Sequence, residues 1–304
     1  MPLILVGTSA GCRVFTEAGE EKVELPGRGV MALAAEGAGS CIGVVDGVEI
    51  WRRGADGVWS LVTSSRVPLQ SIMSVNGVVF GGSMSEGIMI RMRPGKEAER
   101  LAGFDAVPGR HEWFCGGPTP LHVRALTSTA DGSAMLAAVH VGGIPRSSDG
   151  GETWLPTLPI QYDVHEVQAH RSLANVIAGA AAVGLCMSYD GGRNWKVISQ
   201  GLEITNSLAV VVLPEEVLFS VQEGPFAKCS QIWRYPISGG SAELVREGLP
   251  EWLNGKVDTG HMATNQKQTA IVDHGGNLYL SGVGARDWRR IGTRLPYVFG
   301  VLVV

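Results

Sequence analysis

Two copies of one eight-residue motif constrain the fold of this chain more than any other feature. Both copies read Ser-x-Asp-Gly-Gly-x-x-Trp, the first over residues 147–154 and the second over residues 188–195. The residues that end the two copies, Trp154 and Trp195, lie 41 positions apart. A repeat of that length is typical of one four-stranded unit of a β-propeller, and it disfavours Rossmann-type and TIM-type enzymes.

Strand-like apolar runs recur in the same order along the rest of the chain. Six repeat units are predicted, with inner strands that begin near Val30, Leu69, His122, Val164, Leu208 and Asp258. The last run, residues 297–304, has no partner after it, and the runs at residues 3–7 and 12–15 lack an inner strand before them. Joining these runs makes a seventh blade and hides sheet edges that would otherwise be exposed.

The predicted fold class is therefore all-β. We expect a seven-bladed β-propeller with four-stranded antiparallel blades, closed by pairing of the C-terminal strand with the N-terminal strands. One such domain would span residues 1–304, because a closed array of this length needs no second domain.

Composition argues against several classes of partner. The net charge of −4 and the pI of about 6.0 carry no signature for nucleic acid or an anionic membrane, so a small-molecule partner is expected. The N-terminus enters a strand without a basic leader, which predicts neither a signal peptide nor a membrane span. The five cysteines lack C-x-x-C spacing, and Cys41 and Cys186 lie in apolar runs, which favours buried thiols and a cytoplasmic location. No phosphate-cradling loop is seen, so no nucleotide cofactor is expected, and the oligomeric state stays open.

These residues resemble the BNR or Asp-box repeat propellers, especially the bacterial seven-bladed WD40/YVTN/BNR-like group. The resemblance covers nearly the whole chain, and both motif copies carry it together with residues 122–126, 141–143, 163–166 and 257–259. Sialidases, sortilin-like receptors and a photosystem assembly factor share Asp-boxes, so the resemblance implies a fold and no single activity. The early run Cys12-Arg13-Val14-Phe15 lacks the F/Y-R-I-P segment of sialidases, so sialidase activity is not expected.

The Asp-box itself has a structural explanation. Asp149 and Asp190 can accept hydrogen bonds from turn amides, and the glycine pairs supply positive φ angles. Trp154 and Trp195 can then pack between neighbouring blades. A carbohydrate or calcium site on these turns is the functional alternative, but Asx-turn chemistry accounts for every residue without it.

The chemistry is predicted at the opposite ends of the blades. In propellers of the resembled family, inner strands begin and second strands end at the face where substrates enter. The residues that this rule gathers at one mouth are His122, Arg124, His140, His165, Glu166, Glu223, Asp258, His261 and His274. Several imidazoles from separate blades would therefore share one site.

A metal centre is the sharper interpretation of these histidines, because imidazole is a ligand for Zn, Cu, Fe and Ni. We predict His122, His140 and His165 as ligands of a divalent transition metal (Zn, Cu, Fe, Mn or Ni), with His261 or an acidic group completing the site. The alternative is that the histidines cap strand ends through backbone hydrogen bonds. The sequence has no H-x-x-H or H-E-x-x-H spacing that would support the metal.

We predict a catalytic or a substrate-binding role for each of the remaining polar residues at this mouth. Glu166 is predicted to act as a general base or to orient a metal ligand, and Arg124 is predicted to be catalytic. Substrate binding is assigned to Glu223, Asp258 and His274.

The connection over residues 105–120 is a second candidate feature, because a long segment without strand pattern is uncommon unless it binds something. As a lid over the channel mouth, it would supply His111 for catalysis and Arg110 and Trp113 for substrate binding. As a plug, its Trp113 and Phe114 would only cover apolar core, and the sequence favours neither arrangement. A weaker interpretation makes Cys115 a nucleophile activated by His111.

Two functions remain open at the level of the sequence. The first is a small-molecule enzyme at the channel mouth, of hydrolase, lyase or isomerase type and metal-dependent if the histidines are ligands. The second is a non-catalytic binding module or assembly scaffold. An enzyme should gather ionisable groups with perturbed pKa values in one cleft, whereas a scaffold should expose a wide apolar or single-sign patch. The gathering of His and Glu at one mouth favours the enzyme.

Overall fold

Seven four-stranded antiparallel sheets form the ring of blades, which confirms the predicted seven-bladed β-propeller. The computed structural model describes residues 2–37, 39–114 and 121–304. We number blades 1 to 6 in chain order from Val30, and the blade that joins both chain ends is the seventh. Within the described ranges, no helix has the length and apolar character that crossing a membrane requires.

The strands follow the predicted order. The closing blade contributes β1 (Ile4–Thr8), β2 (Gly11–Phe15) and β3 (Glu21–Glu24). Blade 1 comprises β4 (Val30–Gly37), β5 (Ser40–Val45), β6 (Glu49–Arg53) and β7 (Trp59–Ser64). Blade 2 comprises β8 (Leu69–Val75), β9 (Val78–Ser83), β10 (Met89–Met92) and β11 (Glu99–Arg100), followed by helix α1 (Ala102–Asp105) and a 3₁₀ turn (Arg110–Glu112). Blade 3 comprises β12 (Val123–Ser128), β13 (Met135–Val139), β14 (Ile144–Ser147) and β15 (Leu155–Leu158), followed by a 3₁₀ turn (Ile160–Tyr162).

The second half of the ring repeats the pattern. Blade 4 comprises β16 (Val164–Ala169), β17 (Ile177–Ala181), β18 (Gly184–Ser188) and β19 (Lys196–Ile198). Blade 5 comprises β20 (Val210–Val212), β21 (Glu216–Val221), β22 (Cys229–Pro236) and β23 (Glu243–Leu244), with the short β24 (Leu253–Asn254) paired to β22. Blade 6 comprises β25 (Met262–Thr264), β26 (Thr269–Val272), β27 (Leu278–Ser281) and β28 (Arg289–Gly292), and β29 (Val298–Val303) ends the chain.

The ring closes as the sequence predicts. Strand β29 pairs antiparallel with β1, with Leu5 opposite Leu302 and Val6 opposite Val301. All of β1 is buried, because its aliphatic side chains pack against both neighbouring blades. Gly7 lies where the next inner strand approaches closely, and an added Cβ would meet the carbonyl oxygen of Val30 at 2.4 Å. Only glycine fits at this point of the closure.

The Asp-box turns satisfy their polar groups internally. The Asp149 carboxylate accepts a hydrogen bond from the Thr153 amide at 3.0 Å, and Asp190 accepts from the Asn194 amide at 2.9 Å. Trp154 is buried and packs edge-on against Phe104, with ring centroids 5.2 Å apart. These contacts agree with the structural role predicted for the motif.

Candidate functional site

A central cavity of about 560 Å³ lies between the inner strands. At one end, every inner strand begins and every second strand finishes, as the register of each blade shows. Side chains predicted from the sequence line this cavity, namely His122, Arg124, His140, Glu166, Asp258, His261 and His274. These polar side chains therefore share one cavity.

An ion pair crosses the channel between blades 3 and 6. The Arg124 guanidinium donates from Nη2 to Asp258 Oδ1 at 2.5 Å and to Thr259 Oγ1 at 2.7 Å. Burial alone would raise the pKa of Asp258, but the positive charges of its neighbours, Arg124 foremost, and a hydrogen bond from the Thr259 amide together outweigh it and hold that pKa well below its usual range. The pair is therefore ionised at neutral pH, and both of its side chains line the cavity.

Glu166 connects the inner-strand regions of three blades through hydrogen bonds. The carboxylate is buried and accepts hydrogen bonds from the Val210 amide at 3.0 Å, the Gly260 amide at 3.2 Å and Gln168 Nε2 at 3.1 Å. Burial raises the pKa of Glu166 to about 7. Both oxygens are occupied, so the observed contacts hold blades 4, 5 and 6 together, and the role as general base stays a prediction.

Three ligand-type side chains meet beside the cavity where blades 3 and 4 adjoin. His140 Nε2 lies 3.3 Å from Asp163 Oδ1, and His165 Nε2 lies 3.6 Å from Asp163 Oδ2. One ligand atom from each of the three residues lies within 4.8 Å of the others. We call His140, Asp163 and His165 the triad.

A backbone carbonyl holds the imidazole ring of His165. Its Nδ1 donates to the carbonyl of Ser207 at 2.7 Å, which directs Nε2 at Asp163. Burial lowers the pKa of His140 to about 4, although the Asp163 carboxylate opposes that shift. His140 is therefore neutral at neutral pH and can present a lone pair.

The backbone around Asp163 is unusual. Asp163 ends the 3₁₀ turn before β16 with φ 50° and ψ 76°, a left-handed conformation that is strained for a residue with a Cβ. Its carbonyl accepts a hydrogen bond from the Ala182 amide at 3.0 Å, which fixes the turn against the end of β17. Asp163 Oδ1 is buried, and although His140 Nε2 lies 3.3 Å away, it accepts no well-aligned hydrogen bond from any described residue. A strained residue with an acceptor of this kind is uncommon in folded proteins.

His122 lies in the cavity but outside the triad. Its ring centroid is 6.3 Å from that of His140, and its Nδ1 hydrogen-bonds to Gln70 Oε1. Burial, and then the charge of Arg124, lower the pKa of His122. The structure brings two of the three predicted ligands, His140 and His165, together with an acidic group and places His122 beside them, and the metal itself stays a prediction.

His261 and His274 lie on the blade 6 side of the cavity. Their ring centroids are 4.9 Å apart, and His274 lies 5.7 Å from Tyr297. Burial lowers the pKa of His261 to about 4. These residues form a separate polar wall, so His261 does not complete the triad. Glu223 is exposed on the rim of blade 5 and does not line the cavity.

The described part of the 105–120 connection matches the plug arrangement at Trp113 but not at Phe114, which is 63% exposed. Trp113 is buried with its ring 5.6 Å from Phe104, because an indole gains more from core packing than from solvent. Arg110 lies over Trp113 and donates to the carbonyls of Gly87 and Glu86 at 2.8 and 2.9 Å. The structure does not bring either side chain into the cavity.

His111 also lies away from the predicted site. Its side chain is 84% exposed, and its nearest charged neighbour is Glu112 at 3.8 Å. Cys115, the candidate nucleophile, lies outside the described residues.

Sequence reasoning missed two residues of the site. Asp163 stands two positions before His165, and this short Asp-x-His spacing was the available signal. Gln70 could not be found from sequence spacing, because it comes from blade 2 and meets His122 only through the packing of adjacent blades.

The fold and the polar mouth define the class as a seven-bladed β-propeller with a ligand-sized central cavity. No known protein family matches this sequence, and no curated protein does. Among solved structures, a candidate 6-phosphogluconolactonase from Bacteroides uniformis is similar over 100% of this chain and 99% of its own, with 12% identity and a TM-score of 0.67.

Part of each of two GH74 structures is also similar. The GH74 xyloglucanase from Xanthomonas campestris shares 15% identity over 95% of this chain, with a TM-score of 0.61. The GH74 enzyme from Niastella koreensis shares 11% identity over 95%, with a TM-score of 0.60. This chain spans only 46% and 47% of those two proteins. At such identities the likeness establishes the fold alone.

Proposed function

We propose that the protein is a metal-dependent enzyme that acts on a small molecule at the mouth of its central channel. The observation that carries the proposal is the triad: two imidazoles and a carboxylate, with one ligand atom of each within 4.8 Å of the others. Two histidines and one carboxylate are a ligand set for catalytic zinc and for non-haem iron. Such a set leaves coordination positions free for water and substrate.

The local contacts suit a bound cation. His140 Nε2, His165 Nε2 and an Asp163 oxygen would hold it, and the carbonyl of Ser207 would orient His165 as outer partners commonly do. A cation would also satisfy the orphaned Oδ1 of Asp163. A divalent ion in this position lowers the pKa of bound water and polarises carbonyl oxygens, which serves hydrolase, lyase and isomerase reactions.

Two further findings support catalysis at this site. Ionisable groups with shifted pKa values gather at one mouth, among them His140, Glu166, Asp258 and His261. The similar solved structures include GH74 enzymes and a candidate lactonase, which supports an enzymatic use of the fold without specifying the reaction.

The cysteines at 12, 41, 186 and 229 are free thiols, which supports the proposed cytoplasmic location.

The scaffold alternative has one observation in its favour. The outer edges of the closing blade and blade 1 expose Val23, Val58, Leu61 and Val62, at 41%, 63%, 54% and 40%. Isolated apolar side chains of this kind are normal on soluble proteins. The concentration of ionisable groups in the cavity therefore favours the enzyme.

The test combines metal analysis with turnover. Protein purified without chelator is expected to contain about one equivalent of a transition metal, or to bind one added equivalent of Zn²⁺, because the triad provides one complete ligand set. Screening should cover esters, lactones and hydroxy acids, and EDTA should abolish any activity found while added metal restores it. Protein that binds none of Zn, Cu, Fe, Mn and Ni would contradict the proposal.

A further inference from the structure

The central cavity continues from the polar mouth into a second cavity at the far end of the inner strands. The second cavity has a volume of about 360 Å³, and its wall includes Ala169, the last residue of β16, and Arg171 just beyond it. Five apolar residues line both cavities, and we call them the lower wall: Leu33, Ala35, Ile72, Leu126 and Ala169. Because blades 1 to 4 all contribute to this shared wall, the two cavities form one channel between the inner strands.

The channel lining changes from polar to apolar with depth. On β12, Arg124 lies near the mouth and Leu126 follows two residues later. Residues two apart on a strand point to the same side and lie about 6.6 Å from each other, so Leu126 is one level deeper than Arg124. Among the described residues that line the second cavity, Arg171 is the only one with an arginine, lysine or carboxylate side chain.

The lower wall leaves apolar surface uncovered inside the channel. Leu33, Ala35, Leu126 and Ala169 are half-buried, although each lies on an inner strand at the centre of the ring. Leu126 packs against the core between blades 2 and 3 and also borders the channel. Concave apolar surface of this kind suits the hydrocarbon part of a ligand, because binding removes that surface from water.

The hydroxyl group that lines both cavities is already engaged with the protein. Thr127 Oγ1 accepts a hydrogen bond from the Ala169 amide at 3.0 Å. The imidazoles of His122 and His140, in contrast, line the channel at its mouth. A ligand in the channel therefore meets polar groups at the mouth and hydrocarbon below it.

We infer that the substrate is amphipathic, with a polar reactive group at the mouth and an aliphatic chain that extends along the lower wall towards Arg171. The position of the reactive group beside the triad rests on the proposed function. The position of the chain rests only on the lower wall, so the two assignments can fail separately.

Three alkyl hydroxamates test the chain contact: acetohydroxamate, hexanohydroxamate and octanohydroxamate. They share one metal-binding group and differ only in chain length. In calorimetric titration of the full-length protein loaded with Zn²⁺, affinity should rise about three- to fourfold for each methylene group that enters the channel, the factor that corresponds to burial of one such group. Equal affinity of the Zn²⁺-loaded protein for all three probes would overturn the inference.

The variant Ala169→Phe locates the bound chain. The added ring occupies space at the lower wall, so this variant should lose most of the gain for octanohydroxamate and keep wild-type affinity for acetohydroxamate. Ala55→Phe, at an exposed turn of blade 1 outside both cavities, is the matched control and should change neither. A chain-length gain that Ala169→Phe leaves intact places the chain elsewhere and refutes the assignment. If Ala169→Phe unfolds, Leu126→Asn takes its place, because a polar amide against the chain should lower octanohydroxamate affinity about threefold or more.

Titration of metal-free protein keeps this inference separate from the metal proposal. EDTA-treated protein is titrated with n-butanol, n-hexanol and n-octanol, which carry the chain without a metal-binding group. Affinity that rises with chain length, and that Ala169→Phe lowers, supports the lower-wall site even if no metal is ever bound. Equal affinity for the three alcohols would contradict it.

Discussion

Replacing His165 with alanine is expected to abolish stoichiometric metal binding and lower the affinity for Zn²⁺ by more than about a hundredfold. Loss of an orienting partner around a metal typically costs 10–100-fold, and loss of a ligand exceeds that range. His165 is 5% exposed and its Nδ1 is fixed to the Ser207 carbonyl, so no other side chain can take the position of its Nε2. Competition titration against a chromogenic chelator measures the affinity.

Matched histidine variants make this result specific. His111→Ala removes an 84% exposed imidazole outside the cavity and should leave metal affinity unchanged. His122→Asn should also retain one equivalent, because His122 lies outside the triad. A buried His→Ala change leaves a cavity, so the stability of each variant is checked by following its unfolding in EDTA. His140→Ala tests the triad at a position that is less buried. Full metal content in both triad variants would refute the assignment.

The second large effect concerns stability at the ring closure. Glu24→Gln is expected to lower the free energy of unfolding by about 3–5 kcal/mol, as breaking a buried ion pair generally does. Glu24, on β3 of the closing blade, binds Arg53 of blade 1 through two contacts of 2.7 and 2.9 Å. The Arg53 side chain is only 1% exposed, so the variant would leave a buried charge without its partner. Trp59 Nε1 donates to the same carboxylate at 2.8 Å.

The same pair predicts an acid-sensitive closure. Burial tends to raise the pKa of Glu24, but hydrogen bonds from Arg53, Lys22 and Trp59 outweigh it and lower the pKa from 4.5 to about 2. The stabilisation is therefore fully present above pH 4.5 and lost as the pH falls towards 2. Denaturant unfolding at a series of pH values should show the difference between wild type and Glu24→Gln shrinking in acid.

Two controls identify the buried charge as the cause. Glu21→Gln breaks a surface ion pair with Arg13, in which the Arg13 side chain is 24% exposed and the Glu21 side chain 38%. This variant should lower the free energy of unfolding by no more than about 1 kcal/mol. Glu24→Leu combined with Arg53→Met should recover most of the loss, because it removes both charges together. A Glu24→Gln protein as stable as wild type at neutral pH would contradict this account of the closure.

Much of the fold could be predicted because blade structure is local. Each strand is a short apolar run between turn residues, and the spacing of Trp154 and Trp195 sets the repeat. Blade 6 lacks a full Asp-box, yet Trp288 Nε1 donates to the carbonyl three residues earlier, as Trp154 does. The position of a tryptophan was therefore enough to place the last strand of this blade.

The site was predicted only in part because it depends on contacts between blades. His140 and His165 could be assigned to one mouth from their positions at strand ends, and the structure places them together. Asp163 joins them through a left-handed turn, and its spacing two residues before His165 was the only signal of this contact in the sequence. Whether Trp113 covers a channel or a core depends on how α1 presents Phe104, which composition does not determine.

Anomalous diffraction from crystals of the Zn²⁺-loaded protein, recorded on both sides of the zinc absorption edge, tests the central claim most directly. The proposal predicts one strong peak about 2.0–2.2 Å from His140 Nε2, His165 Nε2 and an Asp163 oxygen, the distances typical of zinc. A peak at another set of side chains, or none at the triad when zinc is present in the crystal, would contradict it.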